Sequence, residues 1–339
     1  MSILRVSQHF GEAIAHPEIF EAALYVENDS GDYSEALAYN KNIDTPTIIA
    51  SISKMFTTAI VLKLIDAEII SFDTKLADFF DKTTLNGLHV FEEGDYSKEL
   101  TIANLLFMTS GLPDFFSAEV GEMSMQSILE KDRAISFEEI ISAVKREGAH
   151  FAPDSDRAFY SDVNFDLLGV LIENLTKRPI NDVFKKLIFD PLGMEASYVP
   201  TGDSTVPMTY YGDKLVSRAL YNKSCPASAG CVSTLRDLMT FSKAFWTGKI
   251  FAPDLLLSLA KYRRIQFGMF WYGGGHMQLR PAKIMDGFAR DAELVGHSGS
   301  TGSFMYYYPM KRIHIVGDLT QVESPPLATQ LAIKVAQVH

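Results

Sequence analysis

Both ends of this chain alternate like strands while its middle repeats like helices, and that division restricts the fold more than any other feature. Residues 22–27 and 35–40 are short β-like runs separated by Asn28-Asp29-Ser30-Gly31-Asp32, a dense turn signal that predicts a hairpin. β-rich runs return at 268–272, 276–279, 293–297, 303–308 and 313–319, with Gly273-Gly274-Gly275 and Pro309-Met310-Lys311-Arg312 as turns. Between these ends the apolar spacing is helical at 102–108, 137–146, 164–176 and 180–188. Loops fall at Gly111-Leu112-Pro113, Ala152-Pro153-Asp154 and Asp190-Pro191-Leu192-Gly193. Further helices are expected at 3–15, 235–246 and 328–338, and the apolar run 47–64 is helix-like, with 66–80 as its amphipathic continuation beyond a break. The fold class is therefore α+β: an antiparallel sheet flanked by terminal helices, with an inserted all-helical region. Residues 1–75 and 205–339 are expected to form the sheet domain from both termini and 76–204 a mainly helical domain, with the active site between them.

Composition narrows the function classes. At 339 residues, 47% hydrophobic and 22% charged, the chain can offset its ordering entropy by burial. A formal charge of −11 with no Lys/Arg cluster along the sequence argues against a nucleic-acid or anionic-membrane surface. No run approaches the roughly 18 apolar residues of a membrane span. Residues 1–23 mix Arg5, Glu12, His16, Pro17 and Glu18 into their apolar positions and so lack a signal-peptide core, which makes the expected location cytoplasmic, although a trimmed leader would leave no trace. Cys225 and Cys231 fit neither a redox pair nor a zinc knuckle and read as free thiols. The eight histidines show no ligand spacing, so neither a metal nor an organic cofactor is expected.

Ser51-Ile-Ser-Lys54 places a hydroxyl and an amine at i and i+3, on one face of a helix, where the amine can activate the serine. The same tetrapeptide pattern occurs at Ser142–Lys145 and Ser258–Lys261, where an amphipathic setting makes a solvated serine and lysine the simpler reading. Ser51 differs because it opens a largely apolar helix that a soluble protein buries.

In its surroundings, Ala50-Ser51-Ile-Ser-Lys54-Met-Phe-Thr57 resembles the first signature of the penicillin-recognising, serine β-lactamase-like superfamily, in particular its class C β-lactamase, esterase and D-aminopeptidase branch. Leu105-Leu-Phe-Met-Thr-Ser-Gly-Leu-Pro113, Tyr160-Ser-Asp-Val-Asn164, Asp190-Pro-Leu-Gly-Met194, Ala229-Gly-Cys-Val-Ser-Thr234 and Gly296-His-Ser-Gly-Ser-Thr-Gly302 resemble the same branch in the same order, over about 40 to 320. The resemblance implies a β-lactamase/transpeptidase-like fold and a serine hydrolase acting through an acyl-enzyme. Tyr160 then takes the second motif, usually Y-x-N. A phenol beside ammonium groups is expected to be more acidic than a free one and to relay protons. Asp162 stands where Asn is usual; it can accept from Lys54 or a substrate amide but not donate, and it holds Lys54 protonated more firmly, which shifts the base role toward Tyr160. Asn164 reads as structural.

His297-Ser298-Gly299 resembles the third motif, K-[ST]-G, with histidine in place of lysine. Strand alternation sends His297 and Gly299 to one face and Ser298 to the other. The family implies backbone N–H groups of Ser51 and Ser300 as oxyanion donors, with Asp162, Ser298 and Gly299 contacting substrate. A histidine that is mostly neutral at pH 7 offers a substrate carboxylate less than lysine does, which favours esterase or D-amino-acid peptidase chemistry over penicillins. The partner is thus a small-molecule or peptide-like ester or amide. The alternatives are a β-lactamase, an acyltransferase using the same acyl-enzyme, or a non-catalytic or single-turnover penicillin-binding sensor. Tyr306-Tyr307-Tyr308 reads as packing, while Tyr210, Tyr211 and Trp271 are candidates to line a cleft.

Overall fold

The computed structural model describes residues 2–116, 121–153, 155–323 and 325–339. The N-terminal hairpin forms as β1 (Ala22–Asn28) and β2 (Ser34–Tyr39), its turn held by the Tyr33 amide donating to Asn28 Oδ1 at 3.2 Å. The remaining strands come from the other end of the chain: β3 (Arg263–Arg264), β4 (Phe270–Tyr272), β5 (Met277–Leu279), β6 (Leu294–Ser298), β7 (Ser303–Tyr308) and β8 (Ile313–Asp318). Spatial order is β2-β1-β8-β7-β6-β5-β4-β3, and every neighbouring pair is antiparallel. The seam is β1 on β8, with Ala23 opposite Asp318, so the first strand completes a sheet laid down by the last.

Alternation along these strands decides what each face meets. Leu24, Val26, Leu294, Phe304, Tyr306 and Ile315 point into one core, covered by α1 (Ser2–Ile14) and the terminal helix Pro325–Gln337. Ala23, Tyr25, Met277, Met305 and Val316 point to the other, which they share with α2 (Ser53–Asp66) and the helices Ile102–Leu106, Phe137–Glu147, Val163–Thr176 and Leu235–Trp246. Among the described residues no helix is long and apolar enough to cross a membrane.

Three local expectations fail. Thr47–Ile48 is not helix but a short strand paired with Val232–Ser233; a tight turn at Ala50–Ile52 follows before α2 begins. Residues 66–80 do not continue that helix. Glu68 turns left-handed at φ 56°, and the backbone of 72–76 bonds instead to 100–103, as in Ala103 N to Phe72 O at 2.9 Å, so tertiary pairing overrides the periodicity. The 180–188 helix is α-helical only over Ile180–Phe184 and widens to a π-turn at Lys185–Phe189; Asp190–Leu192 stays helical, with Pro191 tolerated in its first turn, until Gly193 ends it. Of the predicted 152–154 loop, Asp154 lies outside the described residues.

Buried on every side, α2 is the element around which the site is built. Phe56 meets Phe241 at 4.5 Å and Phe189 at 5.3 Å between ring centres. The β4–β5 hairpin presses its triple-glycine turn onto this helix, and a Cβ on Gly275 (φ 78°) would stand 1.9 Å from Thr58 Oγ1. Gly275→Ala is therefore expected to destabilise the protein by about 2–4 kcal/mol, from overpacking added to left-handed strain, as a lower denaturation midpoint with an unchanged m-value.

Candidate active site

Ser51 sits in the turn Ala50–Ile52, directly after Ala50, which has φ 44°. An L-residue in that region carries about 1–2 kcal/mol of strain, so the surroundings must hold it there. They do so from the β6–β7 turn. Thr301 Oγ1 donates to Ile48 O at 2.8 Å and Ser303 Oγ to Ile49 O at 3.0 Å. A Cβ on Gly299 would lie 2.6 Å from that same Ile49 oxygen, so only glycine lets the two segments approach this closely. Ser51 and the Ser298–Ser300 segment therefore face one cleft.

Lys54, one turn into the helix, is fully buried. Its ammonium has three partners from three parts of the chain: Ser51 Oγ at 3.2 Å, the Ser228 carbonyl at 2.8 Å and Asp162 Oδ1 at 2.6 Å. Two of its protons are hydrogen-bonded, to Ser51 and Ser228, and the Asp162 carboxylate balances its charge as an ion pair. The rings of Tyr160 and Phe165 lie 5.0 and 5.7 Å from the nitrogen and keep the site apolar around the ion pair.

Tyr160 is clamped by its backbone: its N–H donates to Gln266 Oε1 at 2.8 Å and its carbonyl accepts from Gln266 Nε2 at 2.9 Å. Contrary to the expected acidic phenol, burial pushes its pKa well above the usual value and the Asp162 charge adds to this, against a smaller lowering by the Ser51 hydroxyl. The nearby ammonium does not reverse the balance because Asp162 already neutralises it. The phenolic oxygen is buried and faces the Ser51 hydroxyl, too poorly aligned for a full hydrogen bond. Tyr160 is therefore a neutral proton donor at ordinary pH.

His297 is fully buried behind this pair, outside the cleft wall. Its ring lies 6.0 Å from that of Tyr160, with Nδ1 2.8 Å from its neighbour's carbonyl, Ser298 O, and Nε2 3.4 Å from the Tyr272 hydroxyl. Burial, helped by the charge of Lys54, holds its pKa down at about 3, so it presents no cation. Ser298 bonds through its hydroxyl to Tyr306 at 2.5 Å, and the Gly299 amide donates to Ser303 O at 2.7 Å.

The sequence profile of the beta-lactamase family matches residues 25–339. The chain belongs to the beta-lactamase family. Penicillin-binding protein 4 of Amycolatopsis lactamdurans is 24% identical over 180 residues, covering 52% of this chain and 43% of that protein. The D-alanyl-D-alanine-carboxypeptidase/endopeptidase AmpH of Escherichia coli is 25% identical over 84% of this chain and 72% of its own. The chain spans less than half the length of the first curated relatives it matches. The D-amino acid amidase of Ochrobactrum anthropi SV3 superposes with a TM-score of 0.80 at 20% identity, covering 99% of this chain and 98% of that one, which shows the shared β-lactamase/transpeptidase fold.

Several neighbours of this beta-lactamase-family site carried no sequence signal. Asp166, partly buried one turn beyond Asp162, accepts from Ser228 Oγ at 2.6 Å and has its pKa raised to about 7, chiefly by desolvation. Asp114 Oδ1 accepts from the Asp162 amide at 3.0 Å. Asn164 is structural, accepting from Ser110 Oγ at 2.6 Å. The other two S-x-x-K matches do not assemble a site: Ser142 is exposed, and Lys261 lies beyond the end of its helix. Tyr210 stacks on Phe20, Tyr211 bonds to Gln126, and Trp271 lies under Arg280, so none of the three lines the Ser51 cleft. Basic residues scattered along the sequence meet in space, with Asp156 among them and paired with Arg263. Folding gathers Arg157, Lys261, Arg263 and Arg264 on one side of Trp271 and Arg280 and Lys283 on another, from segments separate in sequence.

Burial here makes stability depend on pH in two opposed ways. His276, His297 and His314 are held neutral to about 4, 3 and 4, so between those values and about 6.5 the unfolded chain binds more protons and stability falls as pH drops. Asp166 keeps a proton that the unfolded chain releases, so its contribution falls as pH rises from about 4 to 7. Asp166→Asn is expected to remove the second component and raise stability at pH 8 relative to pH 5 by about 1–3 kcal/mol against wild type, read by urea denaturation at both pH values.

Proposed function

We propose that the protein is a serine hydrolase that cleaves an ester or amide through an acyl-enzyme on Ser51. The observation that carries this is the buried Lys54 ammonium, hydrogen-bonded to Ser51 and ion-paired with Asp162. As Ser51 Oγ attacks the carbonyl, its proton passes to the Lys54–Tyr160 pair, which delivers one to the leaving group. Amide N–H groups of Ser51 and Ser300 hold the oxyanion, and Ser298 and Gly299 border the substrate. Tyr160, neutral and without a hydrogen bond, donates to the leaving group. His297 touches no substrate in this scheme and serves as a positioning residue behind Tyr272 and Tyr160. Water then attacks the acyl carbonyl, its proton passes through the same Lys54–Tyr160 pair to Ser51 Oγ as the acyl bond breaks, and the acid product leaves. Two lobes, 1–75 with 205–339 and 76–204, bracket the reaction, the first supplying Ser51 and Ser300 and the second Tyr160 and Asp162. The names of the amidase and carboxypeptidase relatives support the same reaction class.

A fluorophosphonate is expected to add once to the wild-type protein and not to Ser51→Ala, by intact-protein mass spectrometry. Absence of an adduct on folded protein would sink the proposal, while stoichiometric labelling without ester turnover would favour the single-turnover sensor. Tyr160→Phe is expected to leave stability unchanged or slightly higher, because the lost hydroxyl is buried without a bond, yet to lower kcat about 10²–10⁴-fold in a steady-state ester assay.

A further inference from the structure

Strand register builds a second pocket beside the Ser51 cleft. Residues directly opposite in antiparallel strands share a face, so the pairs Trp271–Arg264 and Trp271–Gln278 align Arg264, Trp271 and Gln278 across β3, β4 and β5. Arg280 lies two residues beyond Gln278 and falls on the same face. Its Nε donates to Gln278 Oε1 at 3.0 Å, and its guanidinium stands 3.9 Å from the centre of the Trp271 ring. The helical turn Pro281–Lys283 brings Lys283 back over the same ring, with Nζ at 5.7 Å. Arg264 Nε donates to Gly268 O at 2.8 Å. Two guanidinium groups and one ammonium are thus held about one indole, around a pocket of ≈ 340 Å³. Met269 lines both this pocket and the Ser51 cleft, so the two adjoin.

The fold does not use up the charges in this pocket. Among the described residues no Asp or Glu lines it, and Arg264, Arg280 and Lys283 enter no ion pair. Each arginine gives its Nε to a protein oxygen, which orients the guanidinium and leaves its two terminal nitrogens for a ligand. Glu293 stands behind Gln278, accepting from its Nε2 at 2.5 Å, so of the three positive charges one at most is balanced and two remain. Beyond Trp271 the positive surface continues with Arg157, Lys261 and Arg263, where Asp156 is paired with Arg263. A chain of net charge −11 has no general need to collect cations in one place. The reaction decides which end of a substrate arrives there. Tyr160 protonates the leaving group, and its ring centre is 5.5 Å from that of Phe267, two residues before Met269. A leaving group set against Tyr160 therefore runs out over Phe267 and Met269 into this pocket.

We propose that the pocket of Arg264, Arg280 and Lys283 is an anion subsite of the Ser51 cleft, and that it recognises a carboxylate or phosphate at the far end of the substrate's leaving group. This rests on the serine hydrolase reading and adds to it the place where a substrate carries its charge. The test compares kcat/KM for the acetyl thioesters of ω-mercaptohexanoate and ω-mercaptohexanamide, which match in length and differ by one charge, with thiol release followed by a disulfide-exchange dye. A third thioester, ending in a phosphonate, shows which anion the subsite prefers. At low ionic strength an anionic thioester is expected to exceed the amide on the order of 10-fold, through KM. The preference is expected to shrink below about 2-fold in about 0.5 M NaCl. Arg264→Gln combined with Lys283→Gln is expected to bring the ratio to about 1, and Lys283→Glu to lower it further. Lys177→Gln removes one charge from the far end of the helix whose N-terminus carries Asp162, about 20 Å away, and is expected to leave the ratio within about 2-fold. Each protein is read as a ratio of two substrates, so loss of folded material cancels. Equal rates for all three thioesters, a preference that survives the double substitution, or a ratio that Lys177→Gln lowers as much, would overturn the subsite while fluorophosphonate labelling of Ser51 left the hydrolase reading standing. Inhibition by inorganic pyrophosphate without any such preference would assign the pocket to a free anion and also overturn the proposal. No labelling and no turnover would remove both readings.

Discussion

A primary ammonium with no exposed surface imposes a demand that the rest of this protein is arranged to meet. Leaving Lys54 unpaired in the interior would destabilise the fold by several kcal/mol, so three acceptors must converge on it. They come from residues 51, 162 and 228, one on each of three segments that secondary structure alone would not bring together. Further bonds fasten the same segments: Thr57 Oγ1 to Ala227 O at 2.7 Å, the Cys231 amide to Ser53 Oγ at 3.1 Å, and the Ile49 amide to Cys231 O at 3.1 Å. The charge that equips Ser51 for chemistry is thus also a fastening point between the sheet and the helical region. Its strength comes from exclusion of water, since the same contacts at the surface would contribute little.

Two departures from the family pattern act in one direction. Asp162 adds a negative charge where an amide is usual, and His297 removes the positive charge that lysine would supply. Each could be tolerated singly as a neutral change of detail. Tyr160 follows from the same balance: with the ammonium neutralised by Asp162, burial dominates its titration, and the phenol remains a donor.

The two cores of the sheet divide the labour. One, between the sheet and the terminal helices, closes the two ends of the chain onto each other through β1 and β8. The other carries α2 and every side chain that meets Lys54. Small residues set the distances between these layers: Gly275 brings the hairpin onto α2 and Gly299 brings the β6–β7 turn onto the segment before Ser51. Basic residues are gathered outside the cleft around Trp271, so a chain of net charge −11 still carries one locally positive groove.

By itself the sequence determined the fold class, the hairpin at each end and most of the helices, and through its family resemblance it pointed to Ser51, Lys54, Tyr160 and His297. Periodicity and motif spacing are local properties, and local properties survive in one dimension. It also flagged Asp162 as a partner for Lys54, because a carboxylate next to a motif position has few other roles. Only the tertiary structure decided the rest. Residues 66–80 lost their helix to pairing with 100–103, the phenol of Tyr160 came out less acidic rather than more, Ser228 joined the lysine with Asp166 bonded behind it, and separate arginines and lysines converged on one tryptophan. Each of these depends on burial or on contacts between residues distant in the chain, and the free energy of a charge or a hydrogen bond is set by what surrounds it in space.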